Sequence, residues 1–144
     1  MRVFRGTVGC GRRGAGAVLV AAAAVTATVA AAPPAAPSAP ATSPSVTHKH
    51  YGNAGDIPKC RPGYACATVA HGGKYHVFDF YRYGTYGLSD WHGRGGLSNE
   101  QAGGAAARIY DRSGAEIECV AAGTATADVD WDRAGKIKLT TVRC

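Results

Sequence analysis

The sequence predicts an all-β protein, a small sandwich of antiparallel strands stapled by two disulfides. Three observations carry this expectation. Short runs rich in Val, Ile, Tyr, Phe and Thr recur roughly every eight to twelve residues, separated by Gly, Asn, Asp or Ser. Four cysteines follow an export-like N-terminus, an even count that suits a crosslinked domain. Helix signals, namely capped segments with apolar residues at a period of about 3.6, are nearly absent.

Residues 1–32 read as a signal peptide. Arg2, Arg5, Arg12 and Arg13 precede the apolar run "AGAVLVAAAAVTATVAAA" (Ala15 to Ala32), with candidate cleavage after "AAA" before Pro33. The Arg12-Arg13 pair suggests twin-arginine export, although the large apolar residues that usually follow such a pair are missing. A retained membrane anchor is the competing reading, disfavoured by the Ala-rich composition. The expected location is secreted and extracellular, with no membrane association once the signal is removed.

Four of the 16 Lys and Arg residues leave with that segment, so 12 remain against 10 acidic residues, a net of +2. Nucleic-acid binding loses its main support. Residues 33–55 read as a Pro- and Ala-rich disordered linker, since the stretch from Pro33 to Ser45 holds nothing able to build a core. Its "HKH" (His48 to His50) would bind a metal ion weakly at most, and a solvated tether is the plainer reading.

The folded domain is expected over residues 56–144. At about 90 residues, burial alone leaves a thin stability margin. Cys10 departs with the signal and leaves Cys60, Cys66, Cys119 and Cys144, for which sequence alone permits three pairings. In "CRPGYAC" the Pro62-Gly63 turn brings Cys60 back towards Cys66, and Cys119 is then left to Cys144. No second cysteine lies at zinc-ligand spacing, so metal binding by these residues is not expected.

The expected strands are "CATVA" (Cys66 to Ala70), "YHVFDFYRY" (Tyr75 to Tyr83), "ARIYDRS" (Ala107 to Ser113), "AEIECVA" (Ala115 to Ala121), "TATADVDW" (Thr124 to Trp131) and "KIKLTTVRC" (Lys136 to Cys144). "KIKLTTV" alternates, with Ile137, Leu139 and Thr141 on one face and Lys136 and Lys138 on the other. The Tyr75 to Tyr83 run has aromatics on both faces, so it is either doubly covered or displays Tyr and His to a partner. The Gly-rich "HGRGG" (His92 to Gly96) resembles a phosphate loop only in composition and reads as a flexible turn.

A weak internal echo completes the fold expectation. "NEQAGGAAARIY" (Asn99 to Tyr110) and "DWDRAGKIKL" (Asp130 to Leu139) each pair an acidic or amide residue with "AG" before an apolar strand, and each accompanies a Trp, Trp91 or Trp131. Two related four-stranded units would explain it, and the arrangement resembles the two Greek keys of a single βγ-crystallin domain. In calcium-binding members of that fold, a corner of two acidic or amide residues is followed by hydroxyl residues that help hold the ion. Here Asn99 and Glu100 fill the first places as weak calcium candidates, but Gly103 and Gly104 supply no side-chain oxygen. The second corner, Asp132 and Arg133, puts a cation where a ligand belongs. No metal or other cofactor is expected.

The "C-x5-C" turn, the crystallin-like body and a downstream "CV" resemble the actinobacterial, Streptomyces-type metalloproteinase inhibitors. "FYRYGTYGLSDWHGRGGLSNEQAGGA" is also similar to exported proteins assigned to that family. The resemblance covers about the last 90 residues. It implies a secreted inhibitor of thermolysin-like zinc metallopeptidases, an extracellular peptidase as partner, and Cys119-Val120 as the reactive bond. Such peptidases cut on the amino side of a bulky apolar residue, so Val120 would enter the primed pocket while the Cys119 carbonyl faces the metal-bound water. The disulfide at Cys119 would hold the bond extended and tether the fragments after cleavage. Unlike the best-known inhibitor, "CVAAGTATA" has no second cysteine to close a short loop, so the partner of Cys119 is remote. The competing reading of "GAEIECVAAG" (Gly114 to Gly123), taken as a polar turn region, is a plain staple.

The alternative function is a secreted crystallin-like binding or structural module, cell-wall or toxin-like, without peptidase contact. It rests on Tyr75, Tyr81, Tyr83, Tyr86, Trp91 and His92, which would stack on sugars if exposed or fill the core if buried. An enzyme is not expected. His71, His76, His92 and Glu100 form no acid/base constellation at a diagnostic spacing, and neither G-x-S-x-G nor H-E-x-x-H occurs. The domain is expected to be a monomer.

Overall fold

The computed structural model describes Ala32 and Pro34–Cys144. The signal peptide expected over residues 1–32 lies, but for Ala32, outside the described residues. Ala35–Cys144 form one compact unit. Within it the chain makes ten strands: β1 (Ala41–Ser43), β2 (Thr47–Tyr51), β3 (Ala65–His71), β4 (Lys74–Phe80), β5 (Gly84–Ser89), β6 (Arg94–Asn99), β7 (Ala106–Asp111), β8 (Glu116–Ala121), β9 (Thr124–Asp130) and β10 (Ala134–Thr140). A single 3-10 turn, Ala54–Asp56, is the helical element among the described residues, and no helix there is long and apolar enough to cross a membrane.

The strands form two antiparallel five-stranded sheets, β1-β5-β10-β7-β8 and β2-β4-β3-β6-β9. The all-β expectation holds, and the six strands expected from composition are β3, β4, β7, β8, β9 and β10. Two successive runs of four strands are arranged alike in the order. β3 to β6 and β7 to β10 each place their fourth strand beside their first, while β5 and β9, the third strands, each join the other unit's sheet. Neither unit buries its apolar face alone. The exchange makes each sheet depend on both.

Local chemistry sets the turns. Gly72 and Gly73 close the β3-β4 hairpin with φ of 58° and 73°, a left-handed pair that side chains disfavour. The Tyr86 hydroxyl donates to the Arg82 carbonyl at 2.7 Å and pins the β4-β5 connection. Between the sheets lie Phe78, Phe80, Leu97, Ile109, Ile137 and Leu139, all buried. Trp91 and Trp131 meet edge to face at 4.9 Å in their midst. Each indole N–H donates to a backbone carbonyl at 2.8 Å, Trp91 to Ala41 and Trp131 to Thr68. The sequence echo therefore marks two equivalent anchors.

Two expectations are corrected. Much of the linker expected at residues 33–55 is sheet: β1 pairs with β5 and β2 with β4, both antiparallel. These short polar strands need no core of their own because they cover edges that β5 and β4 would otherwise leave unpaired. The "HGRGG" segment is no flexible turn, since Arg94, Gly95 and Gly96 open the interior strand β6. A Cβ on Gly95 would overlap the Thr68 carbonyl and the Trp131 indole nitrogen, so the glycine marks a close approach of backbones rather than mobility.

Both disulfides pair as expected, Cys60 with Cys66 and Cys119 with Cys144, with Cα separations of 5.7 and 5.8 Å. The first fastens the segment before β3 onto the outer side of its sheet. The second ties the C-terminus to β8.

Candidate functional site

Cys119 and Val120 lie inside β8, an edge strand paired with β7, where Cys119 stands opposite Arg108 and Val120 opposite Ala107. Strand alternation splits their fates. Cys119 turns outward to its bridge, beside Arg108, which holds Glu116 at 2.8 Å and donates to the Arg143 carbonyl. Val120 turns inward, is 3 % exposed and packs in the core. Its carbonyl accepts from Asn99 Nδ2 at 2.9 Å. The bond lies in an edge strand rather than a polar turn, with Val120 its one buried side chain, and Val120 reaches a peptidase pocket only if β8 leaves the sheet.

The calcium candidates are committed elsewhere. Asn99 is fully buried, and its Oδ1 accepts from the Gln101 N–H at 3.2 Å. Glu100 Oε1 accepts from Ser98 Oγ at 2.9 Å. At the second corner Asp132 lies 3.1 Å from His92 Nδ1 and accepts from the Gly93 N–H at 3.1 Å, and these bonds, the first above all, hold its carboxyl below the usual range. No group of three or more potential metal ligands is assembled among the described residues.

The six aromatic candidates separate. Tyr86 and Trp91 are buried in the core, and burial pushes the Tyr86 phenol above its ordinary value. Tyr75 is half-buried on the outer face of β4, and His92 is engaged with Asp132. Tyr81 and Tyr83 instead expose 62 % and 52 % of their surface. The Tyr64 ring stands 4.9 Å from Tyr81, and the Arg61 guanidinium lies 4.2 Å over Tyr64. Arg61 also reaches Asp79 at 3.4 Å. Together with Pro44 and Val46 from the β1-β2 connection and Thr47 at the start of β2, Tyr64, Asp79 and Tyr81 line an open groove of about 340 Å³.

Sequence reasoning missed Tyr64, Arg61 and Asp79 as members of this face. Tyr64 was readable inside "CRPGYAC", whose disulfide presents the ring. The contribution of Pro44 to Thr47 had no such signal, because a stretch poor in core-forming residues resembles a tether. No protein family, curated protein or solved structure was found to match this chain.

Proposed function

We propose that this protein is an exported binding module, stapled by its two disulfides, which holds a polysaccharide of the cell wall against Tyr64, Tyr81 and Tyr83 without using Cys119-Val120 as a bait bond. The exposure of Tyr81 and Tyr83 carries the reading. Tyr81 is left largely in water 4.9 Å from the Tyr64 ring, with Tyr83 exposed two residues along the chain, and flat rings of this kind match the C–H faces of sugars. Arg61 and Asp79 add a donor and an acceptor for hydroxyls at the rim. The exchange of third strands between the sheets supports the crystallin-like reading of the scaffold.

The resemblance to metallopeptidase inhibitors is the second reading, and the Cys119–Cys144 bridge favours it, since fragments cut after Cys119 would stay tethered. The buried Val120 side chain stands against it.

One experiment separates the two. The oxidised domain is sedimented with insoluble peptidoglycan, chitin and cellulose, and in parallel titrated against a thermolysin-like zinc peptidase. The expected result is retention on at least one polymer, weakened about tenfold (~1.4 kcal/mol) by Tyr81→Ala or Tyr83→Ala, with peptidase activity unchanged. Stoichiometric peptidase inhibition without polymer retention would replace the binding module with the inhibitor.

A further inference from the structure

Four imidazoles gather on one face of the second sheet. The register sets His50 opposite His76, His48 opposite Phe78, and His71 opposite Lys74, so β2, β3 and β4 turn these side chains to the same side. His48 Nε2 lies 2.8 Å from His76 Nδ1, with the two rings stacked at 4.9 Å. The rings of His50 and His71 stand 5.7 and 5.6 Å from that of His76. His76 is 8 % exposed, and His48 lies flat on Phe78 at 4.3 Å, so the core supports the pair from beneath. The carbohydrate reading makes no use of this cluster.

We infer that His48 and His76 form a two-nitrogen chelate for a late first-row divalent metal ion, copper(II) before the others, with water completing the coordination. Two ring nitrogens that face each other on a supported surface are a ready pair of ligands. The 2.8 Å contact is a hydrogen bond in the metal-free protein, and two imidazole nitrogens bound cis at about 2.0 Å on a tetragonal ion stand about equally close, so an ion replacing the shared proton asks the rings to re-aim rather than to separate. Imidazole suits copper, and copper(II) heads the affinity order of the divalent series. The ring that now donates in the His48-His76 hydrogen bond moves that proton to its own other nitrogen. Both facing nitrogens then become ligands, and no net proton is lost. His48 lies on the edge strand β2 and is more exposed than His76, so it is the ring that must turn off Phe78 to aim its lone pair.

Lys74, beside His71, is the cation that the register places on the same side.

The test titrates the metal-stripped full chain with copper(II) chloride by calorimetry at neutral pH, beside His48→Ala and His92→Ala. The expected result is one ion per chain, bound at least tenfold more weakly by His48→Ala and equally by His92→Ala. Pulsed paramagnetic resonance of copper on the parent chain counts the coordinated imidazoles and decides the matter even where a variant folds poorly. At least two are expected. Undiminished affinity in folded His48→Ala, or a bound ion with fewer than two imidazoles, would overturn the inference.

Discussion

Gly95 and Asn99 show how single residues on β6 hold both the fold and the candidate bond in place. Gly95 lets Trp131 reach the Thr68 carbonyl, a contact that any side chain would obstruct with backbone rather than with a movable group. Gly95→Ala is expected to destabilise the domain by about 3 kcal/mol or more, against less than about 0.5 kcal/mol for alanine at an open surface position. Urea unfolding followed by tryptophan fluorescence measures this directly. Asn99 bridges β6 to β8 by donating to the Val120 carbonyl, and it also receives the Gln101 N–H. Asn99→Ala leaves both backbone groups unsatisfied in the interior, a loss of about 2–4 kcal/mol. If it also frees β8, a thermolysin-like peptidase should cleave after Cys119 in the variant and leave the parent intact, as mass spectrometry under non-reducing and reducing conditions would show. The importance of these residues was poorly legible in the sequence. Gly95 looked like loop composition, and Asn99 looked like a calcium ligand, because neither spacing nor residue type reveals what packs against a strand from across the sheet.

At the level of elements, the strands rich in β-branched and aromatic residues were legible, and the exceptions have a common cause. β1, β2, β5 and β6 are formed by partners rather than by propensity: "ATS" and "THKHY" are taken up by free edges, and the Gly-rich start of β6 is held between β3 and β9. Tyr81 and Tyr83 were legible as contact candidates because "FYRY" has more rings than one buried face needs. Which rings are exposed depended on the course of the chain, since Tyr86 turns in to donate to Arg82. The cysteines were the most legible elements of all, and their spacing now separates their energetic roles. The Cys119–Cys144 bridge spans 25 residues and Cys60–Cys66 spans 6. Chain entropy assigns about 3.5 kcal/mol to the longer loop and about 2 kcal/mol to the shorter. Paired serine substitution should therefore lower the urea midpoint more at Cys119 and Cys144. The shorter bridge also presents Tyr64, so Cys60→Ser with Cys66→Ser should weaken polymer retention more than its smaller effect on stability implies.

Across the whole molecule, acid acts in two stages and at different places. His48 and His76 have folded-state values below the 6.5 of a free imidazole, through burial first and then mutual repulsion among the cluster. As pH falls below about 6.5 the unfolded chain takes up protons that the folded chain resists, so stability is full above that value and declines as pH approaches the lowered folded values. Asp111 and Asp132 are depressed below 3.8, Asp111 chiefly by the Ser113 hydroxyl and Asp132 by His92, so their contribution is present above 3.8 and lost as pH falls further. All four groups thus favour the folded state at neutral pH, and none opposes the others on acidification. The first stage centres on the edge strand β2, since protonating both facing nitrogens replaces a 2.8 Å hydrogen bond with a like-charge pair. Thermal unfolding in chelator-containing buffer should give a flat melting temperature between about pH 7 and 9, a first decline beginning near 6.5, and a second below 4. His48→Gln, which removes one titrating ring of the pair, should shrink the first decline and leave the second unchanged. A first decline of equal size in that variant would assign the acid response to groups away from β2.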